Sequence, residues 1–165
     1  MKKVIFSLLT LALVTSISSS ALATEKIEAT EVNTLAAIFY DREPNDSPEQ
    51  ANPYMIGGQI NGELTWNEDA DVSDNEDWYT FTPTRSGKVS LVFAYSKGVK
   101  NTFGARLYSE GKGGPDRLKG VVTIDPGKVL QFNVESGKKY YIFVHRVDRN
   151  PDARHDYNVY TEYIN

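Results

Sequence analysis

The chain of 165 residues has no cysteine and only two histidines, His145 and His155. Without a thiol there is no disulfide, no thiolate zinc site and no lipid anchored through an N-terminal cysteine. Stability must then come from an ordinary core, a bound metal, or both. The two histidines are not at helical ligand spacing, which removes a histidine zinc site as well. His145 falls inside a predicted strand and His155 among charged residues, so both read as structural or surface side chains. There is no Gly-x-Ser-x-Gly turn or other recognisable nucleophile setting. Gly111-Lys-Gly-Gly114 lacks the Walker spacing and the following helix of a phosphate loop and reads as a plain turn. Nothing places paired carboxylates of the glycosidase type in a cleft. The expectation is a protein that is not an enzyme. Basic charge is also short: 18 Lys plus Arg stand against 22 Asp plus Glu, the wrong balance for a nucleic-acid binder.

Long apolar runs are confined to the start. Lys2 and Lys3 precede Val4 to Val14, then a Ser/Thr-rich stretch, then Ala21-Leu22-Ala23. This order predicts a signal peptide, residues 1–23, cleaved after Ala23. An apolar run of that length is too short to span a bilayer comfortably, so a secreted or periplasmic product with no membrane partner is expected. Cleavage leaves 142 residues, with 16 basic against 22 acidic and a net charge of −6. A chain of this size forms one domain and buries about 68–70% of its unfolded surface. Residues 24–40 read as a lead-in. It is either a short helix capped by Thr30, with Val32, Leu35, Ala36 and Phe39 on one side, or an arm that docks in extended form; propensity alone does not separate the two.

From Pro53 onward, apolar and aromatic runs alternate with turn signals: Gly57-Gly58, Asn61-Gly62, Ser86-Gly87, Gly111 to Pro115, Asp125-Pro126-Gly127 and Ser136-Gly137. Val89, Leu91, Phe93 and Tyr95 share one face of a period-two pattern, as do Leu130, Phe132 and Val134, and again Tyr157, Val159, Thr161 and Tyr163. Such alternation puts one face in a core and one in water. Tyr140 to Val147 is more continuously apolar, which suits a central strand. The runs Ile56–Leu64, Trp78–Thr82, Lys88–Tyr95, Ala105–Tyr108, Gly120–Ile124, Val129–Val134, Tyr140–Val147 and Tyr157–Ile164 predict about eight strands. The fold class is all-β, an antiparallel β-sandwich.

Oxygen ligands are what the chain has in excess. Asn67 to Asp77 holds six acidic residues in eleven, Glu68, Asp69, Asp71, Asp74, Glu76 and Asp77, and runs directly into the aromatic segment Trp78-Tyr79-Thr80-Phe81. Two carboxylates about 4 Å apart repel by roughly 4 kcal/mol near a protein surface, so such density reads either as a cation site or as a solvated acidic loop, the commoner case for acidic runs. Asp69-x-Asp71-x-Ser73 opens like an EF-hand loop. Asp74, however, stands where the turn glycine belongs and no Glu stands at the twelfth position. A different calcium site would be assembled from separate segments, and Asp41-Arg-Glu-Pro-Asn-Asp46 is the natural second contributor.

The order Asp41-Arg-Glu-Pro-Asn-Asp46, Gly62-Glu-Leu64, Asp74-Asn-Glu-Asp-Trp-Tyr-Thr-Phe81, Gly87-Lys-Val-Ser-Leu91, Lys139-Tyr-Tyr-Ile142 and Tyr157-Asn-Val159 resembles the bacterial pre-peptidase C-terminal (PPC) domain family. That family is related to the collagen-binding domains of bacterial collagenases. The resemblance covers roughly Asp41 to Tyr163 and implies a jelly-roll-like β-sandwich domain of residues 41–165. It implies calcium ligation by Glu43, Asn45 and Asp46 from the first segment and by Asp74 and Asp77 from the second. Asp41 stands where calcium-binding members often have Glu, and a backbone carbonyl between Leu64 and Asn67 is a further expected ligand. Collagen-binding members carry tyrosines on the sheet surface. Here Tyr95, Tyr108, Tyr140, Tyr141, Tyr157, Tyr160 and Tyr163 lie in or beside strands, most of them as core fillers. The rest are expected to form a recognition face with Arg146, Arg149 and Arg154, with Tyr141, Arg146 and Tyr160 as candidate ligand contacts. The expected function is a secreted, stand-alone, non-catalytic calcium-binding module for an extracellular protein or polysaccharide. The alternative is a chaperone or inhibitor partner of a separately encoded secreted peptidase.

Overall fold

The computed structural model of the chain describes residues 36–65, 74–95, 103–112, 114–121, 127–146 and 156–165. The predicted signal peptide, most of the lead-in, and Glu68, Asp69, Asp71, Arg149, Arg154 and His155 lie outside these residues. The elements are all strands: β1 (Ile38–Tyr40), β2 (Asn52–Pro53), β3 (Gln59–Glu63), β4 (Glu76–Phe81), β5 (Gly87–Tyr95), β6 (Phe103–Gly111), β7 (Gly114–Val121), β8 (Val129–Val134), β9 (Tyr140–Arg146) and β10 (Asp156–Ile164). They form two five-stranded sheets, ordered β1-β3-β10-β5-β8 and β2-β4-β9-β6-β7. All pairings are antiparallel except β1 with β3 and β2 with β4. The all-β sandwich expected from the alternation is the architecture observed.

Each predicted alternation resolves into an inner and an outer face. Ile60, Tyr79, Phe81, Val89, Leu91, Phe93, Phe103, Leu107, Phe132, Val134, Tyr140, Ile142, Val144, Tyr157 and Val159 fill the space between the sheets. Burying a large apolar side chain contributes about 1.5–3 kcal/mol relative to leaving it exposed, so this layer dominates stability. Strand β9 sits at the centre of its sheet and is buried on both faces from Tyr140 to Val144. Its outer side chains are covered by neighbours, with the Trp78 ring 4.5 Å from that of Phe143 and 5.4 Å from that of Tyr108.

The structure adds two strands and moves several boundaries, that of β7 the furthest. The lead-in ends in extended form: β1 pairs with β3, Gln59 N donates to Ala37 O at 2.9 Å, and the Phe39 ring packs edge-on to Tyr54. Over residues 38–40 the helical alternative is thereby excluded. Strands β1 and β2 have three and two residues, too few for any period to register. Strand β7 starts at Gly114 rather than Gly120, pairing with β6 up to Gly111 opposite Gly114. Gly114-Pro115 reads as turn, but β7 is an edge strand, where a proline costs no ladder hydrogen bond.

Candidate metal centre

Strands β1 and β2 belong to different sheets, so residues 41–51 cross the open edge of the sandwich from one sheet to the other. Backbone bonds fix this crossing: Asp41 N donates to Asn61 O at 3.0 Å and Trp78 N to Asn45 O at 2.9 Å. The Asn52 side chain donates to Arg42 O at 2.9 Å. The second acidic segment is pinned by Asp74 N to Thr65 O at 2.7 Å and by Arg146 N to Asn75 O at 3.2 Å. Between them, Asp41, Glu43, Asp74 and Asp77 each place a carboxylate oxygen within 4.8 Å of the others.

Alternation explains the unusual burial of one member. Along β4, Asp77, Tyr79 and Phe81 point inward while Glu76, Trp78 and Thr80 point outward. Asp77 therefore occupies a core position and is 0% exposed, as is Asn45. Burial drives the Asp77 carboxyl up to about 9, helped by the charges of Asp41 and Asp74 and opposed by a hydrogen bond from Tyr157. Burial likewise lifts Asp74 to about 8, with Glu43, Asp41 and Asp46 adding to it. Asp41 and Glu43 are also raised, burial again being the first cause. Without a cation the cluster therefore holds protons at neutral pH.

Three acceptor oxygens in this region, Oδ1 of Asn45, Oδ1 of Asp74 and Oδ1 of Asp77, are buried and receive no hydrogen bond. The Asn45 amide is oriented by its Nδ2, which donates to Asp41 Oδ1 at 2.5 Å. A buried acceptor left without a donor costs about 1–3 kcal/mol. Three of them, two on carboxylates of the four-residue cluster and one on the Asn45 amide, fit a hard cation that takes carboxylate and amide oxygens. Asp46 is exposed and lies outside the four-carboxylate group, acting on Asp74, Glu43 and Glu76 through its charge.

Two tyrosines absent from the expected ligand set complete the site from within the core. Tyr157 of β10 donates to Asp77 Oδ2, and Tyr79 of β4 donates to Asp41 Oδ1 at 3.0 Å. The two hydroxyl oxygens are 2.7 Å apart. The run Asp77–Tyr157–Tyr79–Asp41 thus has three links, whereas two hydroxyls supply two protons. Both go to the carboxylates at the two ends, so the hydroxyl oxygens meet in the middle without a shared proton. Tyr157 reaches this position because its ring lies directly over Gly62, where any Cβ would collide with it. Tyr79 shares the inward face of Asp77 two residues away, which alternation alone shows; nothing local in the sequence links Tyr157 to it.

The three candidate ligand contacts do not come together. Tyr141 lies on the outer face of the β2-β4-β9-β6-β7 sheet and Tyr160 on the outer face of the other sheet, while Arg146 ends β9 on the side shared with Ile142 and Val144. As one surface the set is ruled out, because the sandwich separates its two tyrosines. His145 stacks on Phe143, ring centroids 4.9 Å apart, and burial holds its pKa below the ordinary value.

No family model matches the chain, and no curated protein does. Among solved structures it is similar to the pre-peptidase C-terminal domain of collagenase from Bacillus anthracis, at 21% identity and a TM-score of 0.53, over 72% of this chain and 100% of that one. Weaker likenesses are to the Yersinia pseudotuberculosis-derived mitogen (16% identity, 66% and 86% covered, TM-score 0.47) and to Aeromonas hydrophila PliG, a periplasmic inhibitor of g-type lysozyme (11% identity, 78% and 99% covered, TM-score 0.48). The sandwich that carries this split carboxylate cluster has the fold of the bacterial pre-peptidase C-terminal domain.

Proposed function

We propose that the chain is a secreted, non-catalytic module whose carboxylate cluster binds calcium and whose surface attaches it to an extracellular protein or polysaccharide. The observation that carries the metal half is the four-carboxylate cluster with three buried, donorless oxygens, those of Asn45, Asp74 and Asp77. Asp41, Glu43, Asn45, Asp74 and Asp77 would hold the ion, with Asp46 adding negative charge from the rim. Calcium suits them better than magnesium, because it accepts six to eight oxygens in a flexible geometry and gives up its water more readily. A bound ion supplies the positive charge that protons supply without it. It would tie the segment after β1 to the start of β4, and so clamp the two sheets at their open edge.

Secretion rests on the leader sequence, and the non-catalytic reading on the lack of a recognisable nucleophile setting. Calorimetric titration of the mature protein with Ca²⁺, with melting curves in Ca²⁺ and in chelator, tests the metal half. Saturable heat and a raised melting temperature are expected; neither appearing would overturn it. Capture of a peptidase from culture supernatant would instead identify the chain as a hydrolase partner.

A further inference from the structure

The outer face of the β1-β3-β10-β5-β8 sheet is unusual for a charged protein. Strand register sets Ile38, Gln59, Tyr160, Val92 and Val129 in one straight row across all five strands. The adjacent row is Tyr40, Asn61, Asn158 and Ala94. Their neighbours Phe39, Ile60, Val159 and Phe93 pack with the core, so both rows face solvent. Neither row contains a charge, although 24% of the chain is charged. Four of the exposed large apolar side chains are here: Ile38 at 50%, Tyr40 at 65%, Val129 at 55% and Tyr160 at 40%. A contiguous exposed patch of this kind marks a binding surface more often than scattered apolar residues do.

The polar part of the patch is made of carboxamides held in place. Gln59 Nε2 donates to Asn61 Oδ1, and to Asn158 Oδ1 at 2.9 Å. Each carboxamide carries two N–H donors and a carbonyl with two lone pairs, so these bonds use only part of its capacity. Two concavities flank the rows. One of about 480 Å³ reaches from Tyr40, Asn61 and Asn158 to Glu63 and Asp156. The other, about 380 Å³, is lined by Val92, Tyr160, Ser90 and Glu162. The rim is therefore acidic on both sides.

We infer that this face binds an uncharged glycan, laid across Tyr40 and Tyr160. The inference rests on the binding-module reading above and adds to it the face and the ligand class. An aromatic ring offers a flat apolar surface to the C–H face of a pyranose, and a carboxamide matches a hydroxyl that both donates and accepts. Tyr40 and Tyr160 lie two strands and one row apart, roughly 12 Å from strand spacing and rise, the span of a short oligosaccharide. Carboxylates on both flanks repel uronate or sulfate polymers, so charge complementarity selects a neutral chain. An extended peptide, by contrast, adds to a sheet at its edge through main-chain bonds, which a face does not provide.

The test uses the mature chain in Ca²⁺ against insoluble cellulose, chitin and xylan, with heparin and a triple-helical collagen peptide as counter-probes. Retention by at least one of the three neutral polymers is expected, weakened about tenfold by Tyr40→Ala and again by Tyr160→Ala, on the scale of an interface hot spot. Asn158→Ala should weaken it with both rings intact. Soluble oligosaccharides of the retained polymer should also shift the Tyr40 and Tyr160 resonances of the unaltered protein, which needs no variant to fold. No retention by any neutral polymer, or retention unchanged in the double tyrosine variant, overturns the inference. Binding to heparin or the collagen peptide that the same variants abolish overturns the glycan assignment and leaves the module reading standing. The calcium titration tests that reading separately.

Discussion

Replacing Asp77 by Asn separates a metal ligand from a merely structural carboxyl, because the two roles predict opposite signs in chelator. In the metal-free fold the Asp77 carboxyl is held neutral by burial and by neighbouring carboxylates, with a pKa of about 9, against an ordinary value of 3.8. At pH 7 the unfolded chain ionises this group and the folded chain must take up a proton. From those two values that uptake costs at most about 4 kcal/mol. Asn matches the neutral acid in shape, accepts from the Tyr157 hydroxyl and takes up no proton. In chelator at pH 7, Asp77→Asn is therefore expected to be more stable than the unaltered protein, by up to about 4 kcal/mol, or roughly 10–15 °C in Tm for a domain of this size.

The pH dependence has a definite sign. Because the folded pKa lies above the unfolded one, the stability that the acid form contributes is fully present below about 3.8 and is lost as pH rises through about 9. The advantage of the Asn variant should thus vanish near pH 4 and grow toward pH 9. Calcium is expected to reverse the comparison: bound as proposed, it would stabilise the unaltered protein by about 2.7 kcal/mol at 100 times Kd and about 4.1 at 1,000 times, while the variant would lack a charged ligand. Thermal melts of both proteins at several pH values, in chelator and in saturating Ca²⁺, read the result. A variant less stable than the unaltered chain in chelator at pH 7 would show that the fold does not hold Asp77 neutral, whatever calcium does.

Calcium binding near pH 7 should release protons from Asp77 and Asp74, which are raised to about 9 and 8; titrations in buffers of different ionisation enthalpy should show this, and affinity should rise with pH. Pure ligand exchange with no proton release would contradict the raised carboxyls. Tyr157→Phe breaks two links of the Asp77–Tyr157–Tyr79–Asp41 run at once and should cost about 1–3 kcal/mol in denaturant unfolding; an unchanged midpoint would mean the run contributes nothing. Gly62→Ala pushes the Tyr157 ring off its seat and should destabilise by about 1–3 kcal/mol while weakening calcium binding. Normal calcium affinity in that variant would show that Tyr157 does not position Asp77.

Much of the sandwich is legible in the sequence because its strands are long enough for period two to register. Val89 to Tyr95, Leu130 to Val134 and Tyr157 to Tyr163 each show by their alternation alone which face is buried. Strands β1 and β2 have no such signal, and they are held by parallel pairing to β3 and β4, which depends on distant partners. The acidic density around Asp74 and Asp77 marks one half of the site, and the likeness to the PPC pattern marks the other. Asp41 joins the cluster despite its short side chain, because the backbone bond to Asn61 brings the chain close where it leaves β1. Tyr157 carries no comparable signal: Tyr157 and Asp77 are 80 residues apart and meet only through sheet packing. Tyr141 and Tyr160 each alternate outward, but which sheet carries each is a fact of topology, and it places them on opposite faces.

A calcium ion held by the carboxylates of Asp41, Glu43, Asp74 and Asp77 is proposed to clamp the edge of the sandwich. Calorimetric titration of the mature chain with Ca²⁺ at a pH of about 7.5, repeated on Asp77→Asn, tests it most directly, since metal affinity depends on the protonation of its ligands. Saturable binding in the first, strongly weakened in the second, is the predicted result. No binding heat and no Ca²⁺-dependent change in melting of the unaltered chain would contradict it.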